Sequence, residues 1–307
     1  KNILAYNDTH CNDDILKVSP RDMQQIFRRQ TSPASRFTII ESLPFKELRI
    51  QNRSVFFAAI IKESDLVFPH LARELIKLLL VLAGDENMSN LFVSIYESSS
   101  GGPTPTIMKV LERILRDLGV RTSFRTKGKT RGELQNRIEF LANTRNLAMK
   151  PLVREYKAGR RFDRVVWFSD NYFCAHGLLE QFLLLEKPED GGVSADVACG
   201  MDWGYAGDEC IFYDKWATHD VSGSQFFNGH QHTQIIPSEA SWQDFKRGVP
   251  FQVFSCWSGS LVYRGEIFQE EGLLFRRGRK ENGVETECAV AETQLIYHDL
   301  WQLGYHR

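Results

Sequence analysis

The residue best placed to do chemistry is Asp170. It follows the run 165–168, Val-Val-Trp-Phe, whose consecutive β-branched and aromatic residues suit a strand covered on both faces. An acid at the carboxyl end of such a strand faces the crevice where open α/β sheets bind ligands, and there it can hold a divalent cation against phosphate oxygens. It can equally cap the helix expected over 178–185. Glu97 follows a second apolar run, 91–96, and projects from the same sheet edge or is solvated in the loop behind it. Arg137, Arg145 and Asn146 fall on the helix expected before the Asp170 strand. Arg137 and Arg145 lie roughly on one side of it, where guanidinium groups bind a diphosphate or face water.

Three more acids follow in the second half. Asp202 closes the strand expected over 195–202, and Asp220 precedes Ser222-Gly223; either takes part in chemistry or caps a turn. Glu292 precedes an amphipathic helix, whose positive end favours a carboxylate and makes it a ready base or charge partner. Asp299 shares nearly one helix face with Glu292 and either completes a metal shell or faces solvent. His230 and His232 are spaced to offer a metal ligand, but their polar, Gly-rich loop better suits two exposed side chains. Neither GxxxxGK[ST] nor GxSxG is present, which removes the main support for P-loop kinase and α/β-hydrolase readings.

The elements that must position these residues alternate. Strands are expected over 55–61, 91–96, 120–124 and 165–168, with helices over 69–83, from 104, over 133–149 and over 178–185. That alternation predicts an α/β fold with a mostly parallel sheet flanked by helices. Ser19-Pro20 opens a short N-terminal helix, and 30–54 is mixed loop. Beyond 188–192 the segments shorten and become rich in Trp and Gly: 195–202, 211–216, 251–256 and 261–263, closed by a helix over 293–303. The chain is expected to be one domain over 1–307, with an α/β half at about 55–190 and, at about 195–307, a half that looks like the acceptor side of an enzyme or a mixed sheet edge.

With 307 residues, 42% hydrophobic and 25% charged, the composition is globular. The 38 basic and 39 acidic residues leave no basic field for nucleic acid. Six cysteines without CxxC spacing argue against structural zinc and a thioredoxin-like centre, and leave room for one or two disulfides. The sequons at Asn7, Asn52 and Asn87 are compatible with a secretory lumen. No signal peptide or membrane span is visible.

A set of blocks in order then carries a resemblance: Asn90-Leu-Phe-Val-Ser-Ile-Tyr-Glu-Ser98, Arg137-Ile-Glu-Phe-Leu-Ala142 with Arg145-Asn146, Phe168-Ser-Asp-Asn171, Ala198-Cys-Gly-Met-Asp-Trp203, Phe212-Tyr-Asp-Lys-Trp216, His219-Asp-Val-Ser-Gly223, Phe254-Ser-Cys-Trp257, and Ala291-Glu292 through Asp299-Leu-Trp301. Together they resemble the fungal capsule-associated α-1,3-mannosyltransferases, the cryptococcal mannosyltransferase family, over about 55–303. The resemblance implies a GT-A-like fold and retaining transfer of mannose from GDP-mannose to a mannoside or other glycan acceptor. It also implies a type II protein of the Golgi lumen, anchored by an N-terminal helix that this sequence does not contain. On that pattern Asp170 holds Mn²⁺ or Mg²⁺, Glu97 lies near the nucleotide, Arg145 and Asn146 lie by the donor phosphate or ribose, and Asp202, Asp220 and Glu292 lie on the sugar side. Ser169, His219 and Thr293 depart from the pattern beside those acids, and 62–65 lacks its Asn-rich turn. Other classes compatible with the residues are a transferase using a UDP-linked sugar, a carbohydrate-binding or inactive scaffold, and a glycoside hydrolase using two of Asp202, Asp220 and Glu292.

Overall fold

The structure, a computed structural model, describes residues 50, 52–84, 88–187, 194–206, 208–230, 232–281, 284–287 and 290–306. The helix expected at Ser19-Pro20 lies outside them, as do Asn7 and Asn87. In the first half β1 (Val55–Ile61), α1 (Phe68–Ala83), β2 (Leu91–Glu97), α2 (Thr104–Asp117), β3 (Arg121–Arg125), α3 (Arg137–Lys157), β4 (Arg164–Phe168) and α4 (Ala175–Leu184) alternate as the sequence predicts. The second half holds β5 (Val197–Cys199), β6 (Trp203–Ala206), β7 (Glu209–Phe212), β8 (His219–Asp220), α5 (Glu239–Lys246), β9 (Val253–Ser255), β10 (Ser260–Arg264), α6 (Glu266–Gln269), β11 (Lys280–Glu281), β12 (Val284–Glu285) and α7 (Glu292–Gln302).

The main sheet has six strands in the order β3-β2-β1-β4-β10-β5. β1 to β4 are parallel, and β10 runs antiparallel to both β4 and β5. Period-two alternation divides its side chains between two cores. Phe57, Ala59, Val93, Ile95, Val166 and Phe168 pack under α1, α2 and α4. Phe56, Ala58, Phe92, Val165 and Trp167 pack under α3, α6 and α7. Because both faces are covered, β1 and β4 read as continuous apolar runs rather than as alternating ones. A smaller core of Trp203, Phe212, Phe226, Ile235, Ile236 and Trp242 supports the β6–β7 hairpin.

The chain lays β2 on one side of β1 and β4 on the other, so strand order reverses between the carboxyl ends of β1 and β4. Ligands of open α/β sheets bind at such a switch point, and Asp170 stands there.

Several expectations change. The helix expected over 133–149 starts at Arg137, where the Asn136 side chain accepts from Glu139 N at 3.1 Å, and it runs through Pro151 to Lys157. The strand expected over 195–202 shrinks to Val197–Cys199, because only that stretch finds a partner in β10. The strand expected over 211–216 ends at Phe212, which leaves Asp214 and Trp216 in a turn. Cys199 and Cys256 form a disulfide, and Cys174 is also disulfide-bonded. Among the described residues no helix is long and apolar enough to cross a membrane.

Candidate active site

Asp170, just past β4, accepts from Ser64 Oγ at 3.1 Å, which ties it to the segment leaving β1. Surrounding protein atoms strip water from its carboxyl and raise its pKa, while Ser64 and, more weakly, Arg145 pull the pKa back. The residue keeps an exposed face, which limits that shift. The next residue, Asn171, is buried against Gly259. A Cβ at Gly259 would stand 1.9 Å from Asn171 Nδ2, and its φ of +74° also requires glycine. Asn171 donates to Asp202. Burial first, then the Asp214 and Asp170 charges, lift the Asp202 carboxyl to about 6. Asp202 Oδ1 and Asn171 Oδ1 are buried with no hydrogen-bond partner in the protein, and so are Ser258 Oγ, Arg145 Nε and Trp167 Nε1. Buried polar atoms are nearly always paired in native proteins. Those of Asn171 and Asp202 lie together beside Asp170 and leave acceptors open to a ligand, while Arg53 Nε and Arg164 Nε are likewise unpaired elsewhere in the protein.

Arg145 forms the opposite wall. Its guanidinium carbon lies 4.4 Å from the ring centroid of Trp257, 5.7 Å from Phe275 and 5.9 Å from Trp167. Its Nη2 reaches Glu292 Oε1 at 3.2 Å, and both side chains are buried. Burial lowers the Arg145 pKa, and Glu292 and Asp214 oppose that shift. Arginine remains cationic all the same, so the wall is a fixed positive charge. Arg137, exposed at the start of α3, adds a second positive charge felt at both Arg145 and Asp214. The half-buried Asp214 has its carboxyl lifted to about 6, chiefly by burial. Its backbone donor from Ala217 and the Arg145 charge act against that rise.

The structure therefore unites Asp170, Asp202, Glu292, Arg137 and Arg145. The other candidates have partners within the protein. The Asn146 amide makes both bonds to the Phe275 backbone, at 2.8 and 3.0 Å. Both oxygens of Asp299 accept from Arg276 at 2.7 Å. Asp220 is closed on its own turn, accepting from Ser222 N at 2.9 Å, Ser222 Oγ at 2.6 Å and Ser224 N at 3.0 Å. Glu97 is fully buried, and its oxygens accept from the backbone amides of Ser100 and, at 2.8 Å, of Lys127. It fastens two loops whose Ser99 and Lys127 have φ of 54° and 56°. Glu292 is paired with Arg145 at 3.2 Å. His230 and His232 sit in a local turn, His232 N lying 3.4 Å from His230 Nδ1. Asp214 and Asn171 went unread as site residues. Asp214 carried the same signal as Asp170, an acid just past an apolar strand.

A divalent cation fits this donor set in kind. Asp170 offers an open carboxylate, Asp202 and Asn171 offer unpartnered hard oxygens, and positive charge would relieve the mutual repulsion that raises the Asp202 pKa. No three His, Cys, Asp or Glu side chains among the described residues close into a full shell. The remaining ligands would come from phosphate oxygens or water.

These groups stand at the switch point of an α/β sheet, where ligands of such folds bind. Residues 54–299 match the family described as cryptococcal mannosyltransferase 1, and the chain belongs to that family. Among solved structures, the mannosyltransferase PcManGT from Pyrobaculum calidifontis in complex with GDP-Man and Mn²⁺ is similar to it over 83% of this chain and 53% of that one, at 11% identity and a TM-score of 0.43. This chain thus spans about half the length of that structure. No curated protein matches the sequence significantly.

Proposed function

We propose that the protein transfers mannose from GDP-mannose to a glycan or mannoside acceptor, forming an α-1,3 linkage with retention, and that it depends on Mn²⁺ or Mg²⁺. Family membership supports the sugar. The observation that carries the reading is the set of partnerless buried oxygens on Asp202 and Asn171, near the Asp170 carboxylate, which in turn feels the Arg145 charge. Asp170, Asp202 and Asn171 would hold the cation, which when bound neutralises charge on the departing diphosphate.

The protein's own groups do the rest. Arg145 is held by aromatic rings and Glu292, so it presents a preorganised positive field that needs no rearrangement as charge develops on the leaving group. Arg137, exposed at the rim, is free in reach to pair with a phosphate oxygen. Asp214, with its pKa lifted to about 6, is suited to take the proton of the attacking acceptor hydroxyl. The Golgi lumen is the proposed setting, and an oxidising compartment fits the Cys199–Cys256 disulfide.

The test is a donor screen that measures nucleoside diphosphate release from GDP-mannose and from UDP-linked xylose, glucuronate, galactose and glucose, with Mn²⁺ present. Release from GDP-mannose well above the UDP sugars supports the reading. A preference for any UDP sugar, or release that is indifferent to chelation of the cation, refutes it.

A further inference from the structure

Tyr213 and Trp216 flank Asp214, and both are held open to solvent. Tyr213 is 57% exposed and Trp216 43%, whereas Trp167, Trp203, Trp242 and Trp257 are all buried. Large apolar side chains kept in water at a fixed place call for an explanation that lone surface leucines do not. These two are fixed. Tyr213 N donates to the Asp202 carbonyl at 2.9 Å. Its ring lies against Gly204, where a Cβ would come within 3.4 Å of Tyr213 Cδ2. The turn carrying Trp216 is closed by Thr218 Oγ1 donating to the Asp214 carbonyl at 2.8 Å, and Lys215 pins it to Asn228.

The same segment is continuous with the cleft. The Tyr213 backbone is bonded to Asp202, and the carboxylate of Asp214, the next residue, feels Arg145 and Glu292. The two exposed aromatics therefore lie on the segment that leaves Asp202's hydrogen-bonded neighbour, one on each side of Asp214 in the chain.

We infer that Tyr213 and Trp216 form the acceptor subsite, a platform on which a pyranose ring of the acceptor glycan stacks beside Asp214. This rests on the glycosyl-transfer reading above. The apolar C–H face of a pyranose matches an aromatic face, while its hydroxyls find an acceptor in the Asp214 carboxylate. A sugar docked there sits next to the group suited to take its proton. Neither ring is part of a core, so removing one leaves the fold intact.

The experiment measures two things in the wild type, Trp216→Ala, Tyr213→Ala and, as a control, Val110→Ala on the exposed face of α2. One is binding of linear α-mannotriose by saturation-transfer NMR without any donor. The other is the KM for that acceptor and the KM for GDP-mannose in turnover. The platform predicts that both aromatic variants weaken mannotriose binding and raise its KM roughly tenfold, the scale of losing an aromatic anchor, while donor KM stays within about twofold. Val110→Ala behaves as wild type. Unchanged mannotriose binding and KM in both variants overturns the platform even if GDP-mannose is confirmed as donor. Wild type that binds no mannotriose overturns it as well. If GDP-mannose is not turned over, the donor reading fails, and the NMR comparison alone decides the platform.

Discussion

Arg145→Met isolates the element that fixes the cleft's positive wall. Arg145 is buried, reaches Glu292 at 3.2 Å, and lies 4.4 Å over Trp257, with Phe275 and Trp167 next around it. Removing one member of a buried ion pair costs about 3–5 kcal/mol, because the remaining charge is left uncompensated. Loss of the desolvated cation–π contacts adds about 1–2 kcal/mol. The methionine sulfur against the same rings returns about 1 kcal/mol, and the N-terminus of α7 shields Glu292 by a similar amount. The balance is a loss of roughly 2–5 kcal/mol. Glu292→Gln in the Arg145→Met background removes the stranded charge and should restore about 2 kcal/mol, which is the coupling expected of residues in contact. Urea unfolding followed by tryptophan fluorescence reads all four members of the cycle, and Trp257 and Trp167 lie beside the change. A single variant within about 1 kcal/mol of wild type, or a double variant no more stable than Arg145→Met, would refute the argument that this pair is buried and mutually dependent.

Three further outcomes follow from the same geometry. Burial lifts the Asp202 and Asp214 carboxyls from 3.8 to about 6; a raised acid binds its proton more tightly when folded, so its contribution is complete below about pH 4 and is lost as pH rises through 6. Urea stability should accordingly fall by roughly 2–3 kcal/mol between pH 4 and 7 on account of Asp202, less for the half-buried Asp214, and Asp202→Asn should flatten that slope. Asp299→Asn should lower stability by about 1–2 kcal/mol through its Arg276 bridge, yet leave Mn²⁺-dependent GDP affinity as it was; a matching loss of metal affinity would show Asp299 to be a ligand. The Cys199–Cys256 bridge spans 57 residues, and replacing both cysteines with alanine should cost roughly 4 kcal/mol by loop closure; an unchanged urea midpoint would show that the loop is ordered without it.

What could be read from the sequence was what depends on local pattern. Apolar runs placed β1, β2 and β4, and the acid after β4 pointed to the switch point, because strand ends and helix breaks are encoded within a few residues. The partners of individual side chains are not. Arg145 draws on Trp257 and Phe275 and Asp299 on Arg276, each more than twenty positions away, and no spacing rule joins them. Asn146 reads as a polar residue on its helix, and its bonds to the Phe275 backbone, 129 positions away, are not visible in that pattern. Asp220 shows the reverse case. Its Ser-Gly surroundings already carried a turn signal, and the turn claimed the carboxylate. The short strands of the second half were overextended because β-branched and aromatic runs there serve the small core under β6 and β7 rather than the main sheet.

The central claim is that Asp170, at the switch point between β1 and β4, holds a cation against the donor's diphosphate. Isothermal calorimetry of GDP binding with and without Mn²⁺, on wild type and on Asp170→Asn of confirmed fold, tests it most directly. The account predicts that Mn²⁺ strengthens GDP binding to wild type by at least tenfold, and that the variant loses this enhancement while its urea midpoint stays within about 1 kcal/mol of wild type, since an exposed acid carries little packing energy. An Asp170→Asn protein that still binds GDP more tightly with Mn²⁺, to the same degree as wild type, would contradict it.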